Sequence, residues 1–186
     1  MRRLFLAVGL SLLLLSVSCT SQRSVEMART AQGLLSEGKG LEAAHYYEAA
    51  AHASPSDAHL RYNHLYALHA AGEYEQVLDS VDDAIERFPA RLEFLRLKAR
   101  TLSLMGRADE AAEVYRALLA LNPGDTAYLA LVMDEAVSNG MDTLAEEVAL
   151  HLLWEPAYEK RALTVLDARS PGSWYGEALV YLTRQD

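Results

Sequence analysis

The chain has one cysteine among its 186 residues, so Cys19 has no partner for an intramolecular disulfide. An idle thiol, a bridge to another chain and an acylation site remain open to it. Basic runs are missing as well: 17 Lys and Arg stand against 26 Asp and Glu, a formal net charge of −9. Affinity for nucleic acid comes largely from cations that neutralise phosphates, so nucleic acid is discounted as a partner. Metal-ligand spacing is absent. His59, His64 and His69 follow one another at steps of five residues, about 500° of helical rotation per step, which scatters them over different faces as surface or groove polar residues. The sequence assembles neither a nucleophile with a base nor a carboxylate pair in a cleft, and Asp79, Asp82, Asp83 and Glu86 read as the solvated face of one helix. The chain is therefore expected to be no enzyme, with no cofactor and no metal. The apolar run from Leu4 to Leu15 is also too short to span a membrane, making roughly 18 Å of helix against a hydrocarbon core of about 30 Å.

Arg2, Arg3, that apolar run and Ser16-Val17-Ser18 compose a secretory leader over residues 1–18, ending at Cys19. Its removal, with Arg2 and Arg3, would take the formal charge from −9 to −11. The placement of Cys19 resembles a bacterial lipobox with one departure, since Ser16 stands where Leu or Val is usual and Leu15 lies one residue further back. The resemblance implies a covalent lipid on Cys19 as the new N-terminus, with two or three acyl chains that anchor a protein where one chain is marginal. Residues 19–24 then form a short polar linker. By the same analogy Thr20, in place of an Asp that retains lipoproteins at the inner membrane, favours the outer one. The expected location is a bacterial cell envelope, with the chain facing the periplasm.

Beyond the linker the chain repeats. Gly38, Gly72, Gly106 and Gly140 recur at a step of 34 residues, and Pro55, Pro89, Pro123 and, one residue early, Pro156 recur with them. Between these breakers lie apolar stripes at i, i+3/i+4 spacing, such as Val25, Ala28, Ala31, Leu34 and Leu35, each reading as a helix that ends at a glycine. A helix-turn-helix period of this length marks one solenoid architecture, and the chain resembles the tetratricopeptide repeat family. That family places small or apolar residues at positions 8, 20 and 27 of each unit, an aromatic near 24 and proline at 32. From Leu92 these are Ala99, Ala111, Leu118, Tyr115 and Pro123; from Ser24 they are Ala31, Ala43, Ala50, Tyr47 and Pro55. The unit from Ala58 is looser, with Leu65, Val77, Ala84, Val81 and Pro89, and the one from Thr126 looser still, with Met133, Ala145, Leu152 and Ala149. The family's early tryptophan is replaced by Met27, Arg61, Leu95 and Leu129.

The resemblance implies an all-α, right-handed superhelical solenoid over residues 25–186. Its units would lie near 24–57, 58–91, 92–125 and 126–156, followed by a degenerate hairpin over 157–186. In that hairpin Tyr158, Ala162, Val165 and Leu166 make one stripe, and Trp174, Ala178, Tyr181 and Leu182 a second. The hairpin is expected to cap the solenoid, whose last helix would otherwise expose its stacking face.

The fold by itself says little about function. The resemblance implies that the first helix of each unit lines a groove, which places there Arg29 and Gln32, then His59, Tyr62, Asn63, Tyr66 and His69, then Glu93, Arg96 and Arg100, then Asp134. Tyr62 and Tyr66 are i, i+4 neighbours, as are Arg96 and Arg100. An aromatic wall beside guanidinium groups suits a segment with an apolar anchor and a carboxylate. The family's clamp for chaperone tails is not built here, because of Ala28, Gln32, Asn63, Glu93 and Leu97 at its five positions only Asn63 fits. The expected function is a membrane-anchored scaffold or adaptor that binds a protein or peptide segment in its groove, as an accessory subunit of an envelope complex for protein assembly, secretion, pili or transport. The alternative is a self-associating structural lipoprotein whose groove is filled by a neighbouring protomer, a homo-oligomer.

Overall fold

A computed structural model describes residues 22–183, and these are helical throughout, with no strand among them. The leader, Cys19 and the linker up to residue 21 lie outside the described residues. Helix α1 covers 22–36. It is followed by α2 (Gly40–Ala53), α3 (Ala58–Ala70), α4 (Tyr74–Arg87), α5 (Leu92–Leu104), α6 (Ala108–Leu121), α7 (Thr126–Ser138), α8 (Asp142–Leu152), α9 (Glu159–Arg169) and α10 (Trp174–Thr183). Residues 22–24, read from sequence as linker, already belong to α1. Ser24 is buried there, and its Oγ lies 3.1 Å from Ser54 Oγ, whose hydroxyl donates to it.

The repeat is written into the turns. After α3, the N–H of Gly72 donates to the carbonyl of His69 at 3.0 Å and that of Glu73 to Leu68 at 3.0 Å. These two bonds close the helix C-terminus by placing one residue in the left-handed region, where Gly72 sits at φ 83°. The same pair of bonds recurs after α1, α5 and α7. Two of the other junctions use side chains. Asp57 Oδ1 accepts from the N–H of His59 at 2.9 Å and of Leu60 at 3.3 Å, and Asp125 Oδ1 accepts from that of Tyr128 at 3.0 Å, each satisfying a donor that the start of a helix leaves unpaired.

The chain divides into two compact units between Leu97 and Lys98, within α5. In the first, α2 packs on α3 and α3 on α4. Its core gathers Ala31, Ala43, Tyr47, Leu65, Val77, Val81 and Phe94. Phe94 meets Phe88 face to face and Tyr62 edge-on, both with ring centroids 5.9 Å apart. Gly40 is required by close approach, since a Cβ there would lie 3.0 Å from Ala71 Cβ and 3.0 Å from its backbone nitrogen. In the second unit α6 to α10 pack in succession around Ala111, Tyr115, Leu118, Met133, Leu144, Val148, Leu163 and Leu166. Arg116 of α6 ties that helix to α8, donating to Glu147 at 2.8 and 3.1 Å while also reaching Glu113 at 2.7 Å.

Two expectations are corrected. His64 is not a surface or groove residue: it is 8% exposed, because it lies one helical turn from both Leu60 and Leu68, which are buried on the same face of α3. The stripe of Trp174, Ala178, Tyr181 and Leu182 does not pack as a unit. No residue of α10 is fully buried, Trp174 and Tyr181 face outward, and the helix rests on α9 through its other side.

Candidate binding cleft

In the first unit a cleft of about 750 Å³ opens between α1 and α3. Arg29 and Gln32 come from α1, and Tyr62, Asn63 and Tyr66 from α3. Five of the residues expected to bind are thus brought together by two helices that are distant in sequence. The spacing within α3 aligns its contribution: Tyr62 and Tyr66 are one turn apart, and their rings lie near-parallel at 6.1 Å between centroids. Tyr66 is 41% exposed, while Tyr62 is half-buried and braced from behind by Phe94. The aromatic wall is therefore fixed at one end and accessible at the other. Val25, Ala28, Leu35 and Leu60 add apolar lining, together with the buried Tyr47 of α2.

Two charged residues line the cleft, and they differ in state. The Asp57 carboxylate is committed to capping α3. Arg29 is exposed and has no ion pair among the described residues. The cleft therefore offers one uncommitted guanidinium beside two tyrosines and two side-chain amides, which suits a carboxylate near an apolar or aromatic anchor.

The remaining expected residues lie elsewhere. His59 is exposed, with its Nε2 2.6 Å from Arg91 Nη2. His69 is half-buried against the ring of Tyr74, 5.4 Å between centroids. Arg96 and Glu93 are on α5 outside the cleft lining, with Glu93 3.3 Å from Arg91. Arg100 and Asp134 belong to the second unit. There a smaller cleft of about 350 Å³ lies between α7 and α9, and Asp134 on its wall is neutralised by an ion pair with Arg161. Val25 and Ala28, also on α1 and one turn before Arg29 and Gln32, were not among the residues expected to bind, though they line the same cleft.

His64 Nδ1 is buried and has no hydrogen-bond partner among the described residues. Burial pushes the imidazole below the usual histidine range; Glu48 opposes that shift, while Arg61, His52 and His45 add to it. Among the described residues no group of three or more His, Cys, Asp or Glu side chains is arranged to hold a metal ion. No helix among them is long and apolar enough to cross a membrane.

The tetratricopeptide repeat family profile matches residues 68–133. No curated protein sequence matches the chain significantly. Among solved structures, a MamA RS-1 double mutant superposes with a TM-score of 0.66 at 17% identity, covering 88% of this chain and 96% of that one. MamA from Desulfovibrio magneticus RS-1, from residue 41 to its end, gives 0.65 at 18% identity, with 88% and 97% covered. A tetratricopeptide repeat protein from Parabacteroides merdae gives 0.60 at 17% identity, with 87% and 72% covered. At such identities the likeness is one of fold. With the repeated glycine turns and the helix pairs between them, it shows a fold of tetratricopeptide repeat type, and residues 68–133 match that family's profile.

Proposed function

We propose that this protein is a non-catalytic adaptor of a bacterial envelope, tethered to the membrane by lipid on Cys19, whose first unit binds a segment of a partner protein. Tetratricopeptide repeats serve as protein-interaction scaffolds, and the observation that carries the reading here is the cleft between α1 and α3. Its five expected residues converge, one of its tyrosines is braced and its arginine is uncommitted. The partner segment it suits presents an apolar or aromatic anchor and a carboxylate about one helical turn away.

The test is a screen of peptides with that pattern against the purified protein by fluorescence polarisation. Tyr62→Ala and Arg29→Ala should each weaken a selected peptide about thirtyfold, the equivalent of about 2 kcal/mol. Asp82→Ala and Glu86→Ala on α4 should leave its affinity unchanged. Equal affinities across the four variants would remove the cleft as the binding surface.

A further inference from the structure

Resting on the cleft reading above, we infer that the segment seated in it is α10 of a second copy of this chain. The cleft suits an apolar anchor with a carboxylate on one helical face, and the chain carries such a face. Trp174, Glu177, Val180 and Tyr181 stand at i, i+3, i+6 and i+7, one side of a helix. All four are exposed, Trp174 at 55%, Val180 at 50% and Tyr181 at 65%. The opposite side, with Tyr175, Ala178, Leu179 and Leu182, is half-buried where α10 lies on α9. Three large apolar side chains together on one exposed face mark an interaction surface.

Charge points to the same match. Glu177 sits within the exposed face and has no ion pair among the described residues, and Arg29 in the cleft has none either. Joining them across two copies pairs an acid and a base that each copy leaves single, and brings Trp174 and Tyr181 against the Tyr62–Tyr66 wall. The ten residues of α10 make a rod about 15 Å long, so the anchor side chains, and not the whole helix, fill the cleft. The two surfaces are different patches of one chain, so the contact either closes as a reciprocal pair or continues head to tail.

The experiment follows sedimentation of the full chain in a density-matched detergent over a range of concentrations. Wild type should associate. Arg29→Glu and Glu177→Arg should each weaken that association about tenfold or more, and the double variant, which restores opposite charges with the sign exchanged, should recover it to within about threefold. Benzoylphenylalanine at position 181 should form adducts between copies that map to residues 25–35 or 57–66. A monomer at every concentration, association indifferent to both reversals, or a double variant no better than the singles would overturn the inference. The peptide screen with Tyr62→Ala reads the cleft independently, so a cleft that binds peptides in a monomeric protein would sink only self-docking.

Discussion

Burial makes His64 a proton-linked residue of the first unit. Its folded-state pKa lies below the ordinary histidine value of 6.5, with burial the largest cause. The unfolded chain therefore takes up the proton first on acidification, so the contribution is fully present above pH 6.5 and is lost as the pH falls below it. Thermal melts by circular dichroism should show wild type losing stability between about pH 7.5 and pH 5, and His64→Leu losing less. Parallel slopes for the two would assign the acid sensitivity to other groups. The helical rotation between His59, His64 and His69 is enough to separate their faces, but it leaves open which face is inside; Leu60 and Leu68, one turn either side of His64, were the available signal. Gly106, at φ 73°, is the converse case, a residue legible from the period alone. Gly106→Ala should cost about 1–2 kcal/mol in urea unfolding, because an L side chain in the left-handed region meets its own backbone.

At the scale of elements, the four positions that carry the repeat in each unit are all buried, from Ala31 in α1 to Leu152 in α8. Small residues at these crossings let neighbouring helices approach, and a period in sequence becomes a period in packing. The last hairpin departs from that rule. In α9, Ala162, Leu163 and Leu166 are fully buried, whereas α10 covers only part of its neighbour and buries none of its own residues. Leu163→Ala should therefore destabilise by about 2–5 kcal/mol, and removal of residues 171–186 by less, a shift in melting temperature of a few degrees at about 2–4 °C per kcal/mol. Urea unfolding of both variants checks the order. A truncation more damaging than Leu163→Ala would mean that α10 is a principal support of the second unit.

For the whole molecule, the lone Cys19 that follows the apolar run from Leu4 to Leu15 carries the proposed lipid, and with it the proposal that the repeats work at a membrane. Labelled palmitate should enter the wild-type protein and be absent from Cys19→Ala; label retained in the variant would remove the lipid anchor. Two or three acyl chains would hold the chain on the bilayer and confine copies to two dimensions, which raises the local concentration available for any contact between them.

The amino-acid sequence by itself determined the helices, their order, the glycine turns between them and the residues that would be buried at each crossing. These follow from local patterns: apolar periodicity, a left-handed residue at a helix end, and a proline where a helix cannot continue. Only the tertiary structure decided which polar residues share a site. Arg29 and Gln32 meet Tyr62, Asn63 and Tyr66 because α1 and α3 face one cleft, while Asp134, polar and at a groove position too, is neutralised by Arg161 from α9. The outward turn of Trp174 and Tyr181 was likewise settled by what lies beside α10. Period specifies that a helix has an apolar side, and neighbouring elements decide how much of that side is covered.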